Sequence, residues 1–474
     1  MEFQVVICCG KGKNLSPFSS VRQNGIPKAL IPIANRPMIH YSLEWCDSAP
    51  FHSVIVVTDT SSKDAVTGAV KKYEEKRNKE LFSQVEVVGL DIEGTGSIVK
   101  ALTDQGKITR DFVLLSCDFV TDLPPQIFIE QYRNRGENDI GMCTYYKNNF
   151  TTIDEKKSNL KRYYTCYTTD KYGENHLLDI YSKSSIEKTK FLNLRTQMVW
   201  RNPKVKVSSK LLDSFIYFCS LKTIQILAEE DYDFEYKSCT KIMRDLARRS
   251  WRHTVPKESI NMFILPDECT FARSSNLSIY LEANRWIMQN EHMENIKKIQ
   301  AGQMAPPLGK KDKNSPNVGP ESQIGPETTI EEKTNIKKTI IGANCKIDKR
   351  CRIAGSVILD NVTIQDDVFL ENCIIGEKVT IESKVKLINC NVENGYTVAK
   401  GKNLKGETLL QIQLANFDPE GLFELSGPGL TIGDSAITDD DEGDDDDDDD
   451  DDDESDNFIE DFDEDLEGDD LFDR

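Results

Sequence analysis

An apolar repeat of 17 residues between Ile324 and Val398 constrains the fold of this chain more than any other feature. Three apolar series share that interval, and within each period they follow one another by 6, 6 and 5 residues. The members are Ile324, Ile341, Ile358, Ile375 and Val392; Ile330, Ile347, Ile364, Ile381 and Val398; and Ile336, Ile353, Leu370 and Leu387. Neither helical spacing nor strict alternation fits these positions, whereas three short parallel strands per turn do. The repeat therefore predicts a β-helix of 17-residue coils over 321–405.

Residues 1–298 show short apolar runs that alternate with helical patterns. The runs predicted as strands are Phe3–Cys9, Ser53–Thr58, Gln84–Leu90, Phe112–Cys117 and Ile140–Tyr146, and the helical patterns cover 37–48, 61–78, 96–107 and 124–134. Strands separated by helices of this length indicate a parallel sheet covered on both faces, with further antiparallel strands after residue 160. We expect one large α/β domain here.

The C-terminal part of the chain carries most of the net charge of −21. Residues 439–474 contain 25 acids and one base, which leaves 55 acids and 58 bases in residues 1–438. We therefore expect a nearly neutral body, a linker over 299–320, an extension over 406–438 and a disordered acidic tail over 439–474. No basic stripe with interleaved aromatic residues indicates direct nucleic-acid binding.

The cysteine pattern and the absence of long apolar runs bear on location. The 13 cysteines are scattered and form no C-x-x-C pair, which is typical of thiols in a reducing compartment and not of a structural zinc site. No apolar run approaches 18 residues, and no secretory signal pattern opens the chain. The sequence predicts a cytosolic protein with no membrane partner.

Three motifs near the N-terminus carry a family resemblance. Gly10-Lys11-Gly12 follows the first predicted strand, and Pro27-Lys28-Ala29-Leu30-Ile31-Pro32 and Asn35-Arg36-Pro37-Met38-Ile39 come next. Together they resemble the nucleotidyltransferase family that makes nucleoside-diphosphate sugars. The resemblance implies a vestigial nucleotide pocket of Gly10, Gly12, Lys28 and Asp118, in which the aspartate would bind Mg²⁺ in active relatives. Without the resemblance, the glycines would be a tight turn and Asp118 a cap at a strand end.

Two departures from the family pattern argue against catalysis. The family loop reads G-x-G-T-R-L, but Asn14 stands where the arginine that neutralises phosphate charge is expected. An alignment on Tyr280-Leu281-Glu282-Ala283-Asn284-Arg285 places Arg273 where relatives have a second metal-binding aspartate. A guanidinium repels Mg²⁺, so we expect no catalytic residues, no metal and no cofactor.

The order of the two domains narrows the resemblance further. A nucleotidyltransferase-like domain followed by a β-helix resembles sugar-nucleotide pyrophosphorylases and the gamma and epsilon subunits of translation initiation factor 2B. The resemblance implies that the β-helix is left-handed. Residues 115–122 and 211–214 look most like the gamma-subunit family. That resemblance implies a non-catalytic scaffold of the complex that exchanges GDP for GTP on initiation factor 2, with the epsilon subunit as partner inside a decamer. An active sugar-1-phosphate nucleotidyltransferase is the alternative, and a nucleotide-sensing module without chemistry is a third possibility.

Overall fold

A ten-stranded sheet forms the centre of the first 300 residues. The computed structural model describes residues 2–77, 84–91, 94–150, 163–229, 232, 234, 237–255, 257–300, 316–411 and 431–432. The strands of this part are β1 (Gln4–Cys8), β2 (Pro32–Ile33), β3 (Arg36–Pro37), β4 (Ser53–Thr58), β5 (Gln84–Gly89), β6 (Phe112–Ser116), β7 (Phe119–Thr121), β8 (Asp139–Lys147), β9 (Tyr163–Thr169), β10 (Asn175–Ser182), β11 (Lys206–Ser208), β12 (Leu211–Cys219), β13 (Ser259–Ile264) and β14 (Phe271–Arg273).

The order across the sheet is β11-β9-β10-β13-β8-β12-β6-β1-β4-β5. Strands β6, β1, β4 and β5 are parallel neighbours, as predicted, while β12 is antiparallel to both β6 and β8. Side chains of β1 alternate between the two faces, and both sets are buried: Val5 and Ile7 pack in one apolar cluster, Val6 and Cys8 in the other. Burial on both faces explains why these strands read as continuous apolar runs.

Nine helices are present in the described residues. They are α1 (Met38–Asp47), α2 (Lys63–Lys76), α3 (Thr95–Asp104), α4 (Pro125–Arg133), α5 (Lys183–Thr189), α6 (Thr196–Arg201), α7 (Leu221–Glu229), α8 (Cys239–Arg252) and α9 (Leu277–Gln300). None of the helices in the described part of the chain is long and apolar enough to cross a membrane. All 13 cysteines are free thiols, and all but Cys269 are buried.

Three parallel sheets stack into a β-helix after residue 316. The six-strand face contains β15 (Asn317–Val318), β18 (Asn335–Lys337), β21 (Arg352–Ala354), β24 (Phe369–Glu371), β27 (Lys386–Ile388) and β30 (Asn403–Lys405). The five-strand face contains β17 (Thr329–Ile330), β20 (Lys346–Ile347), β23 (Thr363–Ile364), β26 (Thr380–Ile381) and β29 (Thr397–Val398). The seven-strand face contains β16 (Gln323–Ile324), β19 (Ile340–Ile341), β22 (Val357–Ile358), β25 (Ile374–Ile375), β28 (Asn391–Val392), β31 (Thr408–Leu409) and the antiparallel β32 (Thr431–Ile432).

The 17-residue repeat sets the register of every coil. Ile341 pairs with Ile358, and Ile353 pairs with Leu370, so each apolar residue stands directly above its equivalent in the next coil. The interior members are 0–1% exposed from Ile336 to Val392. Ile324 in the first complete coil is 37% exposed, because no earlier coil covers it. The predicted coils are therefore confirmed.

The domain boundaries can be compared with the predicted ones only in part. Helix α9 runs two residues into the predicted linker of 299–320, and the first β-helix strand, Asn317–Val318, precedes the predicted start at 321. Most of the predicted extension over 406–438 and all of the predicted tail over 439–474 lie outside the described residues. These boundaries stay a prediction.

An apolar seam joins the β-helix to the first domain. Strands of the seven-strand face are two residues long, so one residue points inward and its neighbour points outward. The outward residues Ile340, Val357 and Ile374 pack in one buried cluster with residues of the first domain. Those partners include Leu15, Phe18, Ile33, Met38, Val120, Ala272, Ile279, Tyr280, Ala283 and Met288.

Helix α9 supplies polar contacts on both sides of this seam. Asn284 Oδ1 accepts a hydrogen bond from the Ala34 backbone N–H (2.9 Å). Arg285 Nη2 donates to the Gly355 carbonyl (2.8 Å) and to Asn372 Oδ1 (2.7 Å) in the β-helix. Gly355 has a φ of 59°, and a Cβ there would lie 2.6 Å from Asn372 Oδ1 and 2.9 Å from Arg285 Nη2, so a side chain at this position would displace this contact. The Tyr280–Arg285 motif therefore ties the two domains together.

A matched pair of substitutions tests the β-helix interior. Ile353 is 1% exposed, whereas the adjacent Arg352 is exposed on the outer side of the same strand. We expect Ile353→Glu to lower the free energy of unfolding by about 4 kcal/mol, because it buries an unpaired carboxylate. Arg352→Glu should leave the midpoint of chemical unfolding nearly unchanged. Equal midpoints for the two variants would contradict the assigned register.

Candidate functional site

The loop after β1 holds the predicted glycine motif. Gly12 has a φ of 75°, and a Cβ at this position would lie 3.2 Å from both Cβ and Cγ of Lys28. Glycine is therefore favoured at this position both by the left-handed backbone and by the close approach of the lysine. Gly10 is exposed, and a Cβ there would meet nothing within 4 Å. Asn14 is exposed in a short 3₁₀ turn, Lys13–Leu15.

Asp118 lies just beyond the end of β6, next to the carboxyl end of β1. It is 0% exposed, and each carboxylate oxygen contacts a different cation. Lys28 Nζ lies 2.7 Å from Oδ2, and Arg273 Nε lies 3.3 Å from Oδ1. Lys28 is itself buried, with 9% of its surface exposed. The three side chains form one buried ion-pair cluster, which we call the Asp118 triad.

The electrostatics of the triad keep the carboxylate charged. Burial by itself would raise the pKa of Asp118, but Arg273 and Lys28 outweigh it and hold the pKa well below its usual range. Burial would lower the pKa of Lys28 and Arg273, yet Asp118 more than compensates and raises both. The two cations outnumber the single carboxylate, so the triad has a net charge of about +1.

Arg273 is held in place by several neighbours. It is the last residue of β14 and pairs with Phe119 of β7, while the next backbone N–H, that of Ser274, donates to the Asp118 carbonyl (2.7 Å). Its guanidinium carbon lies 5.1 Å from the centre of the Phe215 ring, and its Nη2 is 3.4 Å from Ser116 Oγ. These contacts orient the guanidinium toward Asp118.

The residues of the triad do not fit a Mg²⁺ ion. Such an ion needs several oxygen ligands, and the carboxylate it would use is already paired on both oxygens. Within the described ranges, no group of three or more His, Cys, Asp or Glu side chains could hold a metal. We therefore derive no chemical step through a metal at this position.

The structure thus brings together part of the predicted set. Gly12, Lys28, Asp118 and Arg273 are neighbours, whereas Gly10 and Asn14 lie on the exposed part of the loop. Two cavities, of about 250 and 510 Å³, are found elsewhere, and neither is lined by the four predicted pocket residues. The assignment of these residues to a nucleotide pocket stays a prediction.

Sequence reasoning missed a second buried ion pair that holds the same loop region. Arg22 Nε and Nη2 donate to the two oxygens of Glu393 at 2.7 and 3.0 Å, and Nη2 also donates to the Gln411 carbonyl (2.8 Å). The Glu393 side chain is only 1% exposed. This bidentate pair joins the loop after the glycine motif to the last coils of the β-helix. No sequence signal could have found it, because the partners are 371 residues apart.

Removing the central charge tests the structural role of the triad. We expect Asp118→Asn to lower the free energy of unfolding by about 3–5 kcal/mol, because two buried cations lose their counter-ion. The control is Asp267→Asn, which breaks an exposed pair with Lys147 and should change stability little.

The stability that Asp118 contributes depends on pH, and the direction of this dependence follows from its pKa. Because the folded-state pKa of Asp118 is depressed, its contribution is complete above the unfolded value of about 3.9 and is lost as the pH falls further. Chemical unfolding of the wild type and of Asp118→Asn at pH 7 and pH 3 measures the effect of the substitution and the effect of pH. Equal free energies of unfolding for the two proteins at pH 7 would contradict the role of the triad.

Comparison with known proteins identifies the kinds of domain. A family model described as Nucleotidyl transferase matches residues 3–152, and one described as EIF2B subunit epsilon LbH domain, a left-handed β-helix, matches residues 310–405. A mannose-1-phosphate guanyltransferase of Emericella nidulans is 26% identical over 133 residues, which are 28% of this chain and 35% of that protein. Both predicted domain types are thereby confirmed.

Two further relatives match most of the chain. Translation initiation factor eIF2B subunit gamma of Schizosaccharomyces pombe is 25% identical over 362 residues, 71% of this chain and 74% of that protein. The protein of the same description from Dictyostelium discoideum is 24% identical over 405 residues, 73% of this chain and 88% of that protein. The chain thus combines a nucleotidyl transferase domain with an eIF2B-type β-helix, and over most of its length it is similar to the gamma subunits of translation initiation factor eIF2B.

Proposed function

We propose that this chain is a non-catalytic, regulatory subunit of the exchange complex that returns initiation factor 2 from its GDP form to its GTP form. It pairs with an epsilon subunit, works inside the eIF2B decamer and acts in the cytosol. The resemblance to gamma subunits over most of the chain supports the complex, and the free state of all 13 cysteines agrees with a reducing compartment.

The Asp118 triad is the observation that carries the non-catalytic part of the proposal. Phosphoryl chemistry on this fold needs metal ions that neutralise the charge developing on the phosphates. Here Lys28 and Arg273 occupy both oxygens of Asp118, and exposed Asn14 leaves the position of the family's catalytic arginine without a charge. The cations neutralise the carboxylate instead of a substrate.

The β-helix supports the assembly part of the proposal. Its seven-strand face is covered by the first domain, which leaves the six-strand and five-strand faces for other proteins. The six-strand face exposes the basic residues Arg352 and Lys386, with Lys386 Nζ 5.4 Å from the centre of the Phe369 ring between them. Of these residues, Arg352 and Phe369 are of types enriched at protein interfaces.

Recovery of the native complex tests the assembly. Full-length chain purified from cytosolic extract at about 150 mM salt should carry the epsilon subunit in near-equal amount, because a subunit interface persists where exposed charge pairs are screened. The recovered complex should release GDP from initiation factor 2 faster than the same complex lacking this chain. Recovery of the chain alone, at the mass of a monomer, would contradict the proposal.

An assay of pyrophosphate release distinguishes the alternative, an active sugar-1-phosphate nucleotidyltransferase. With Mg²⁺, nucleoside triphosphates and a panel of sugar 1-phosphates, we expect no release above background. A mannose-1-phosphate guanyltransferase run in parallel is the positive control for the assay. Turnover by the wild type that is lost in Asp118→Ala would establish the alternative. Nucleotide binding without turnover would favour a sensing module.

A further inference from the structure

Five exposed apolar side chains lie on helix α6, in the five residues before it, or at Val255 next to Thr254, on the side of the ten-stranded sheet formed by β9 and β10. Trp200 is 84% exposed, and Phe191 and Val255 are each 73% exposed. Together with the more weakly exposed Leu194 and Val199, they form what we call the α6 surface. Large apolar side chains concentrated in this way on a surface are typical of a binding site.

The orientation of the α6 surface follows from the packing beneath it. Met198 is 0% exposed and packs with Cys166, Leu178 and Trp251 in a small buried cluster. Trp200 follows two residues later on the same helix, which turns its side chain about 200° away from Met198. Arg201 Nη2 donates to the Thr254 carbonyl (2.7 Å), and this bond holds Val255 beside the helix.

The chain around the α6 surface is strongly basic. Residues 183–210 contain eight basic residues and one acid, Glu187, a net charge of +7. The basic residues are Lys183, Lys188, Lys190, Arg195, Arg201, Lys204, Lys206 and Lys210. Apolar side chains within a field of this sign fit a ligand that alternates acidic and apolar residues.

The last 20 residues of this chain have that composition. Residues 455–474 contain ten acids and one base, and their apolar residues are Phe458, Ile459, Phe462, Leu466, Leu471 and Phe472. We propose that residues 458–472 bind in cis to the α6 surface, with their aromatic and aliphatic side chains against Trp200 and their carboxylates against the surrounding lysines and arginines.

The linker before this segment is long compared with the width of the ten-stranded sheet. The segment 433–457 has 25 residues between strand β32 and Phe458. Fully extended it reaches about 85 Å. The ten strands span about 43 Å across the sheet, at about 4.8 Å per strand. A tethered ligand of this kind is present at an effective concentration on the order of millimolar, so a weak contact suffices.

The same features disfavour two other occupants. A single-stranded nucleic acid also stacks on exposed aromatic residues within basic surfaces, but residues 439–474 carry a charge of −24 on the same chain and would repel it. A second copy of the chain would bring that charge in trans, where it lacks the advantage of the tether.

Hydrogen exchange on the full-length chain tests the proposal. The amides of 455–474 should exchange about fivefold more slowly in the wild type than in Trp200→Ser at about 150 mM salt. Met293→Ser is the matched control, since Met293 is 55% exposed on helix α9, away from the α6 surface, and it should keep the protection. Both variants should unfold at the wild-type temperature, because both side chains are exposed.

Two further measurements separate this contact from the alternatives. Binding of the tail should also slow amide exchange in residues 190–201 of the α6 surface. Replacing Phe458, Phe462 and Phe472 by serine keeps every charge and should remove this slowing. Retained protection in that variant would overturn the proposal in favour of charge attraction alone. Protection that grows with protein concentration would indicate a second copy and overturn the cis contact, as would equal exchange rates for 455–474 in the wild type and Trp200→Ser.

Discussion

The apolar seam around α9 is the contact on which the arrangement of the molecule depends. Ile340, Val357 and Ile374 supply one side of it, and burial of each such side chain stabilises the contact by about 1.5–3 kcal/mol. The other side comes from the loop before α1, from β14 and from α9 itself. Because the loop and β14 also carry Lys28 and Arg273, the seam positions the Asp118 triad as well as the β-helix.

Two buried ionic contacts join different parts of the molecule. The Asp118 triad joins three segments of the first domain that are distant in sequence, whereas the pair of Arg22 and Glu393 joins that domain to the last coils. Charges removed from water are costly unless each has a partner, so both contacts define one arrangement rather than adding much stability. The glycine loop is consequently held from within the domain and from the β-helix.

The parts of the structure that could be predicted from sequence are those with a local period. The apolar series predicted the β-helix coil by coil, because a coil repeats one interior position every 17 residues. The buried strands of the first domain were equally visible as apolar runs. The partner of Lys28 could not be predicted from the sequence, since a lysine beside a glycine loop is as compatible with a phosphate as with a carboxylate. The α6 surface also leaves no period, because its residues come from a loop, a short helix and a second segment near Val255.

The pairing of Asp118 with two cations makes a metal site hard to form by single substitutions at this position. A single change of Arg273 to a carboxylate would set two acids against Lys28 alone, and the metal would still have to displace that lysine from Oδ2. A single change of Lys28 would leave the guanidinium where a second ligand is needed. Each intermediate loses a buried ion pair before it gains a metal, so the requirements of folding oppose the stepwise appearance of a metal site at this position.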